Sequence, residues 1–431
     1  MEVCREGACG ACERDNECGL GWRCVSGVCL ARELPVWRLE VDSSDWRALI
    51  QDPYAHDLAK PCGLEVGGAR YDEGCQVSLH GGTSREFRKK SLRVELPEDA
   101  PYPGYARKTN LRAEYNDPSF LRNWLGLQLF RRMTGIPTPR ARFVKLELNG
   151  EYYGLMVEME RIGGKFLREH GRDELQSMYE PDPDRHLFAD GASAFVPLPD
   201  PALYPLAYQK HTGVEGDYSD LRALIEGALA GDWEESQALG VGQTRRLREL
   251  LDVEGFIDYL AVMALLQNHD HVKKNSYLSW QRDVRGAWRW EVYPWDLDLT
   301  LGCLWDEATQ DTLCDSLTLD EDPIRGRIPE GEPLIYPFLP FANLMIHLVA
   351  QDPALRSFLG WRVCQMLDDR FWWERLPAYL DAMEVVAREG ASEDRRDLNE
   401  TPQDHAQAVE QLRTFLRKRE QFLRQYFVCP L

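Results

Sequence analysis

The chain has 431 residues, a formal charge of −20, 44% hydrophobic and 10% aromatic residues. That composition builds packed cores and excludes a disordered chain, and the length suits two core-bearing lobes plus a small appendage. The acidity excludes nucleic acid as a partner and favours basic ones, and no apolar run reaches the roughly 20 residues of a membrane-spanning helix.

Six of the 12 cysteines fall between Cys4 and Cys29. Cys9 and Cys12 form a C-x-x-C, but no histidine precedes His56 to complete a zinc site. Residues 1–33 therefore read as an extracellular disulfide module whose pairing the sequence leaves open. The remaining six suggest local pairs, Cys62 with Cys75 and Cys303 with Cys314, and a bond from Cys364 to Cys429 that pins the C-terminal segment. Met1 opens directly onto this Cys-rich stretch without a signal peptide's charged and apolar regions. Together with the cysteines, that suggests a secreted or cell-surface protein whose leader is absent from this chain.

From Val36 the alternation predicts a strand, then a helix capped by Ser43-Ser44-Asp45. Gln76–His80 reads as a strand entering Gly81-Gly82-Thr83-Ser84-Arg85, and Ser91–Leu96 as the strand that follows. Small residues between strands let backbone N–H groups approach phosphate, and Arg85 and Lys90 add charge. Between Arg85 and Lys145 there are 14 Lys/Arg against 6 Asp/Glu, a local basic excess suited to an anionic ligand. Asn116-Asp117-Pro118 predicts a helix start, running through to Met133 before Gly135-Ile136-Pro137. Asn149-Gly150 predicts a tight hairpin between Arg142–Glu147 and Tyr152–Met159. Residues from about 180 to 219 read as an irregular insertion, and His405–Phe427 as an amphipathic core-packing helix.

The stretch from Phe256 to Gly302 carries the chemistry. An apolar helix to Leu266 ends in Gln267-Asn268-His269-Asp270-His271, followed by a hairpin that stops at Pro294-Trp295-Asp296-Leu297-Asp298. Carboxylates so crowded call for a cation. His269 and His271 could ligate zinc, but no HExxH-type third ligand is evident. Asp296-Leu297-Asp298 also resembles the D-x-D of metal-dependent glycosyltransferases, which leaves the upstream blocks unexplained. An EF-hand does not fit Leu299, Leu301 and Cys303 at the alternate positions.

Asp270 and Asn275 keep the D-x-x-x-x-N spacing of a protein-kinase catalytic loop. With the P-W-D-x-D-x-T-x-G run from Pro294, the chain resembles the CotH family of spore-coat kinases, secreted proteins with an atypical kinase-like fold. Gly81–Ser91, Tyr115–Asn123 and Leu148–Glu158 match in the same order, so the resemblance spans roughly Val36 to Phe427. It implies an α+β, two-lobed atypical protein-kinase-like fold: an N-lobe over 34–160 and a helical C-lobe over 161–431, behind the disulfide module. It implies ATP and Mg²⁺ or Mn²⁺ as cofactors, and transfer of phosphate to a basic or Ser/Thr-rich protein. The kinase activation loop would fall between Gly302 and about Pro340. On this pattern Gly82, Thr83, Ser84, Arg85, Lys90 and Glu158 contact the nucleotide. Lys90, directly before Ser91, is the strand lysine. Asp270 orients the acceptor hydroxyl, and Asn275, Asp296 and Asp298 hold the metal. One departure stands out: Ser119–Met133 contains no Asp or Glu, so the helix glutamate that pairs the kinase lysine is missing. Glu114, Asp117, Glu158 and Glu160 are its candidate substitutes. Adenylylation, amino-acid ligation and a non-catalytic surface adhesin are the competing functions.

Overall fold

The computed structural model describes the chain apart from residues 1–2, 6–7, 11–21, 26–27, 32, 55–57, 98–106, 182–194, 196, 199, 230–246, 269–270, 272–273, 284, 307–310, 315–322, 324–342, 392–393, 395–404 and 430–431. Its contacts form two units, one of 1–125, 139–161 and 369–413, the other of 126–138, 162–368 and 414–431. Residues 369–413, expected in the second lobe, thus pack with the first unit.

The first unit begins with two short antiparallel ladders, β1 (Val3–Arg5) with β2 (Ala8–Gly10) and β3 (Trp22–Val25) with β4 (Val28–Ala31). The side chains of this segment, and hence the expected six-cysteine framework, lie outside the described residues. Then comes a closed barrel of β5 (Val36–Glu40), β6 (Lys60–Val66), β7 (Ala69–Leu79), β8 (Leu92–Glu95), β9 (Lys108–Arg112), β10 (Ala141–Leu148) and β11 (Glu151–Glu160). The order is β10-β11-β9-β8-β7-β6-β5, and parallel pairing of β5 with β10 closes it. Closure leaves no sheet edge exposed. Period-two alternation sends Trp37, Leu39, Leu64, Val77, Leu92, Val94, Leu111, Val144 and Met156 into one core. The Cys62–Cys75 disulfide ties β6 to β7. Asn149 and Gly150, at φ 52° and 81°, make the tight turn between β10 and β11.

Two helix starts differ from expectation. The first helix, α1 (Ser43–Gln51), is capped one residue earlier, by Asp42 accepting from Ser44 N–H at 2.7 Å. The second, α2 (Arg122–Met133), begins four residues beyond Pro118. Asp117 is the reason: its buried carboxylate accepts from Ser119 N–H, from Arg122 N–H and from the Arg122 guanidinium. That bonding holds 117–121 as a tight turn with Phe120 at φ 58°.

The second unit is built on a four-stranded sheet, ordered β13-β12-β14-β15, of β12 (Met178–Pro181), β13 (Tyr208–Thr212), β14 (Ser276–Arg282) and β15 (Trp288–Pro294). Part of the supposed irregular insertion is therefore an edge strand, since β13 pairs with β12 from Tyr208 to Thr212. Among the described residues, the α-helices of six or more residues after α2 are, in chain order, α3 (Gly164–Glu169), α4 (Val253–Leu266), α5 (Leu344–Gln351), α6 (Pro353–Asp368), α7 (Leu376–Ala391) and α8 (His405–Tyr426). A small hairpin, β16 (Leu304–Asp306) with β17 (Asp311–Leu313), is clasped by the Cys303–Cys314 disulfide. Cys364–Cys429 links α6 to the C-terminal segment. All three expected pairings of the later cysteines are present.

Candidate functional site

Helix α4 sets the floor of the candidate site in the second unit. Asp252 caps its start, accepting from Gly255 N–H, and ten of its residues are buried. It ends at Gln267 in the left-handed region, φ 51°, and Leu266 C=O accepts instead from Leu301 N–H at 2.7 Å. Buried Arg419 donates to Ala264 C=O, placing a cation at the helix's negative end. Beyond Gln267 the chain turns on Asn268, which accepts from His271 N–H through its side chain and meets His271 Nδ1 through its carbonyl. His271 thereby holds the turn with one ring nitrogen. His269 and Asp270 lie outside the described residues.

Asn275 and Asp296 are brought together where β14 and β15 begin and end, with Ser276 opposite Pro294. Trp295 N–H donates to Asn275 C=O at 3.2 Å, and Asn275 Nδ2 donates to Asp296 C=O at 3.1 Å. Both residues have positive φ, 62° and 50°. Left-handed backbone at non-glycine residues costs free energy and tends to persist where side chains must be aimed. Of the two ends of the Asn275 amide, the oxygen is the one with the acceptor chemistry that a cation needs. Asp296 and Asp298 are half-buried, and Asp298 Oδ1 accepts from Leu299 N–H at 2.9 Å. Between them Leu297 is buried on α2, where a Cβ added at Gly126 would lie 2.8 Å from Leu297 Cδ1. That glycine permits the close approach.

The donor set is entirely oxygen, which suits a hard cation such as Mg²⁺ or Mn²⁺; nearby Cys303 is spent in its disulfide. Among the described residues no three His, Cys, Asp or Glu side chains converge. The candidate metal set therefore depends on the amide of Asn275.

In the first unit the 81–85 turn closes on itself. Gly81 sits at φ 107° with Ser84 Oγ where a Cβ would be, and Arg85 N–H donates to Gly82 C=O at 3.0 Å. Thr83 lies in this 3₁₀ turn, and Arg85 Nη1 donates to Pro53 C=O at 3.2 Å. Lys90 joins the turn: its Nζ donates to Arg85 C=O at 2.6 Å, and its N–H to Tyr153 Oη at 2.6 Å. Burial lowers the Lys90 pKa from its usual value, opposed by Glu86. Both neighbouring lysines are buried, Lys89 against Asp394 and Lys90 against the carbonyl of Arg85.

The acids nominated to replace the missing helix glutamate are otherwise engaged. Glu158, expected beside the nucleotide, is itself buried and pairs with half-buried Arg142 at 2.6 Å. Its side chain shares the barrel-core face with Met156, because β11 alternates. Glu160 pairs with Arg140 at 2.6 Å, Asp117 caps α2, and Glu114 accepts from Asn123. The acid that pairs a lysine here is Asp394, which meets Lys89 Nζ at 2.6 Å. Sequence reasoning had no route to it, since the partners lie 305 residues apart.

The CotH kinase protein family matches residues 77–423, most of the chain. The chain belongs to that family. It is also 28% identical over 271 residues to the inner spore coat protein H of Bacillus subtilis (strain 168), covering 62% of this chain and 69% of that protein. The family match, over 77–423, takes in every candidate residue from the 81–85 turn to Asp298. No described helix is long and apolar enough to cross a membrane. The three disulfides are consistent with an extracytoplasmic, oxidising location.

Proposed function

We propose that this CotH-family chain is a secreted, ATP-dependent phosphotransferase with a two-lobed kinase-like fold, acting on Ser/Thr hydroxyls of an extracytoplasmic or coat protein. The observation that carries the reading is the coupling of Asn275 to Asp296, both in left-handed backbone and hydrogen-bonded across adjoining strand ends. Both residues carry side-chain oxygen, and left-handed backbone tends to persist where such side chains must be aimed.

In this reading Asn275, Asp296 and Asp298 hold the divalent ion, which when bound would neutralise charge on the transferred phosphoryl group. Asp270 accepts the proton of the attacking hydroxyl, and Lys90 with the 81–85 turn supports the donor's phosphates. Positioning and electrostatics carry such chemistry. The test is incubation of the chain with Mg²⁺, ATP and Ser/Thr-rich coat-type protein, with the product read by mass. A gain of one phosphate, lost in Asp296→Asn and Asp270→Ala, supports the proposal; a gain of a nucleotide would indicate adenylylation. Wild-type transfer in either variant would sink the residue assignment.

A second reading, a non-catalytic coat or surface component, is favoured by the name of the Bacillus subtilis relative. Calorimetry separates the two: a structural component binds no ATP with any divalent metal.

A further inference from the structure

We infer that the outer face of β7, β8, β9 and β11 binds a polyphosphate anion through a set of arginines that no kinase-type motif in the sequence marks. Register defines that face. Leu79, Leu92 and Leu111 lie in the barrel core, paired in sequence across β7, β8 and β9. The residues in the opposite phase are Arg93, Asn110 and Arg112, with Asn110 opposite Met159 on β11. His80, in the phase of Ser78, extends this face beyond the end of β7, as Arg161 does beyond β11.

The face is built of donors. Arg93 Nη2 lies 3.1 Å from His80 Nδ1, and Arg93 Nε donates to Asn110 Oδ1 at 3.2 Å. Guanidinium can only donate, so His80 Nδ1 accepts and its proton resides on Nε2. The imidazole is held neutral, well below its usual range, by burial first and then by Arg93, Arg112, Arg85 and Arg161. Arg93 lies directly against that ring, and Arg112 continues the same face of β9 two residues beyond Asn110. Arg112 lies 3.9 Å from Glu114, while Glu158 and Glu160 occupy the core face. Asn110 is 1% exposed, yet its Nδ2 has no acceptor. A buried donor left unmatched is costly. Phosphate oxygens would satisfy it, because they accept only, and they match the guanidinium forks beside it.

The identity of the anion as a nucleotide rests on the phosphotransferase reading; the anion site itself does not. Calorimetry on the full chain in chelator-containing buffer would use tripolyphosphate, ATP and adenosine as titrants. Tripolyphosphate and ATP are expected to bind and adenosine to fail. In Arg93→Gln/Arg112→Gln both affinities should fall at least about tenfold, the weight of one charge-assisted contact. Preference for ATP over tripolyphosphate would identify a nucleotide, and equal affinity a free polyphosphate. Half-exposed Arg161, replaced in Arg161→Gln, gives the same comparison should the buried double variant not fold. Asp296→Asn should keep metal-free tripolyphosphate binding even where it abolishes transfer, so the two proposals fail separately. Wild type that ignores tripolyphosphate, or arginine variants that bind it unchanged, would overturn the inference.

Discussion

Lys89 and Asp394 form an ion pair from which water is excluded, 2.6 Å apart with side chains 0% and 6% exposed. Lys89 Nζ also donates to Leu155 C=O and stands 4.8 Å over the Phe120 ring, while Asp394 accepts from Leu155 N–H. Gly154 makes room, since a Cβ there would lie 2.7 Å from Lys89 Cε. The pair fastens the segment after α7 to the barrel and explains why 369–413 packs with the first unit.

Breaking one partner leaves a buried charge, so Asp394→Ala should cost about 3–5 kcal/mol in denaturant unfolding. Replacing both, as Lys89→Met with Asp394→Leu, should recover most of that loss. A double variant as unstable as the sum of the singles would show that the pair is not the fastening.

The backbone at Asn275 and Asp296 makes a second, ordered prediction. Asn275→Gly relieves the left-handed strain and loses one hydrogen bond, whereas Asn275→Ala keeps the strain and loses the same bond. Thermal unfolding should therefore rank wild type, then Gly, then Ala, with Ala lower than Gly by about 1 kcal/mol. Asp296→Gly should keep stability within about 1 kcal/mol of wild type while abolishing metal-dependent ATP binding. An Ala variant as stable as the Gly variant would show that φ at 275 carries no strain.

Local signals were readable wherever one short stretch determines its own conformation. Asn149-Gly150 forces its hairpin, the alternation of Leu92 and Val94 finds the barrel core, and the spacing from Asn275 to Asp296 is closed by the hairpin between them. The departures have non-local causes. The start of α2 depends on Asp117 folding back on Arg122. Strand β13 exists because β12 is there to pair with it, and its own sequence is polar and unpatterned. The partner of Lys89 comes from the far side of the chain. The pairing of Glu158 with Arg142 is likewise set by the register of β10 on β11, which composition does not reveal.

Gly126 offers a test of how the Asp296–Asp298 turn is positioned. Glycine inside a helix normally costs roughly 1 kcal/mol relative to alanine, so Gly126→Ala on propensity alone would stabilise. Here the new methyl would meet Leu297 Cδ1 at 2.8 Å and Leu297 Cβ at 3.1 Å. The expected result is a net loss of stability and weaker metal binding, larger still for Gly126→Val. A stabilised Gly126→Ala with unchanged metal affinity would show that Leu297 shifts freely.

His80 supplies the pH dependence. Its folded pKa lies well below 6.5, so in acid the unfolded chain takes up a proton that the folded chain refuses. Stability from this group is complete above about pH 6.5 and is lost as pH falls below it, by up to about 1.4 kcal/mol per pH unit. The charged groups that act on the ring are Arg93, in contact with it, and Arg112, Arg85 and Arg161, and all keep their charge throughout that window. His80→Gln should therefore flatten the unfolding free energy between about pH 6.5 and pH 5 by close to one proton's slope. An anion bound among the arginines would offset their charge and ease protonation of His80. Saturating tripolyphosphate should then flatten the wild-type slope as well, and leave that of His80→Gln unchanged. A wild-type slope indifferent to the anion would place its binding away from the ring.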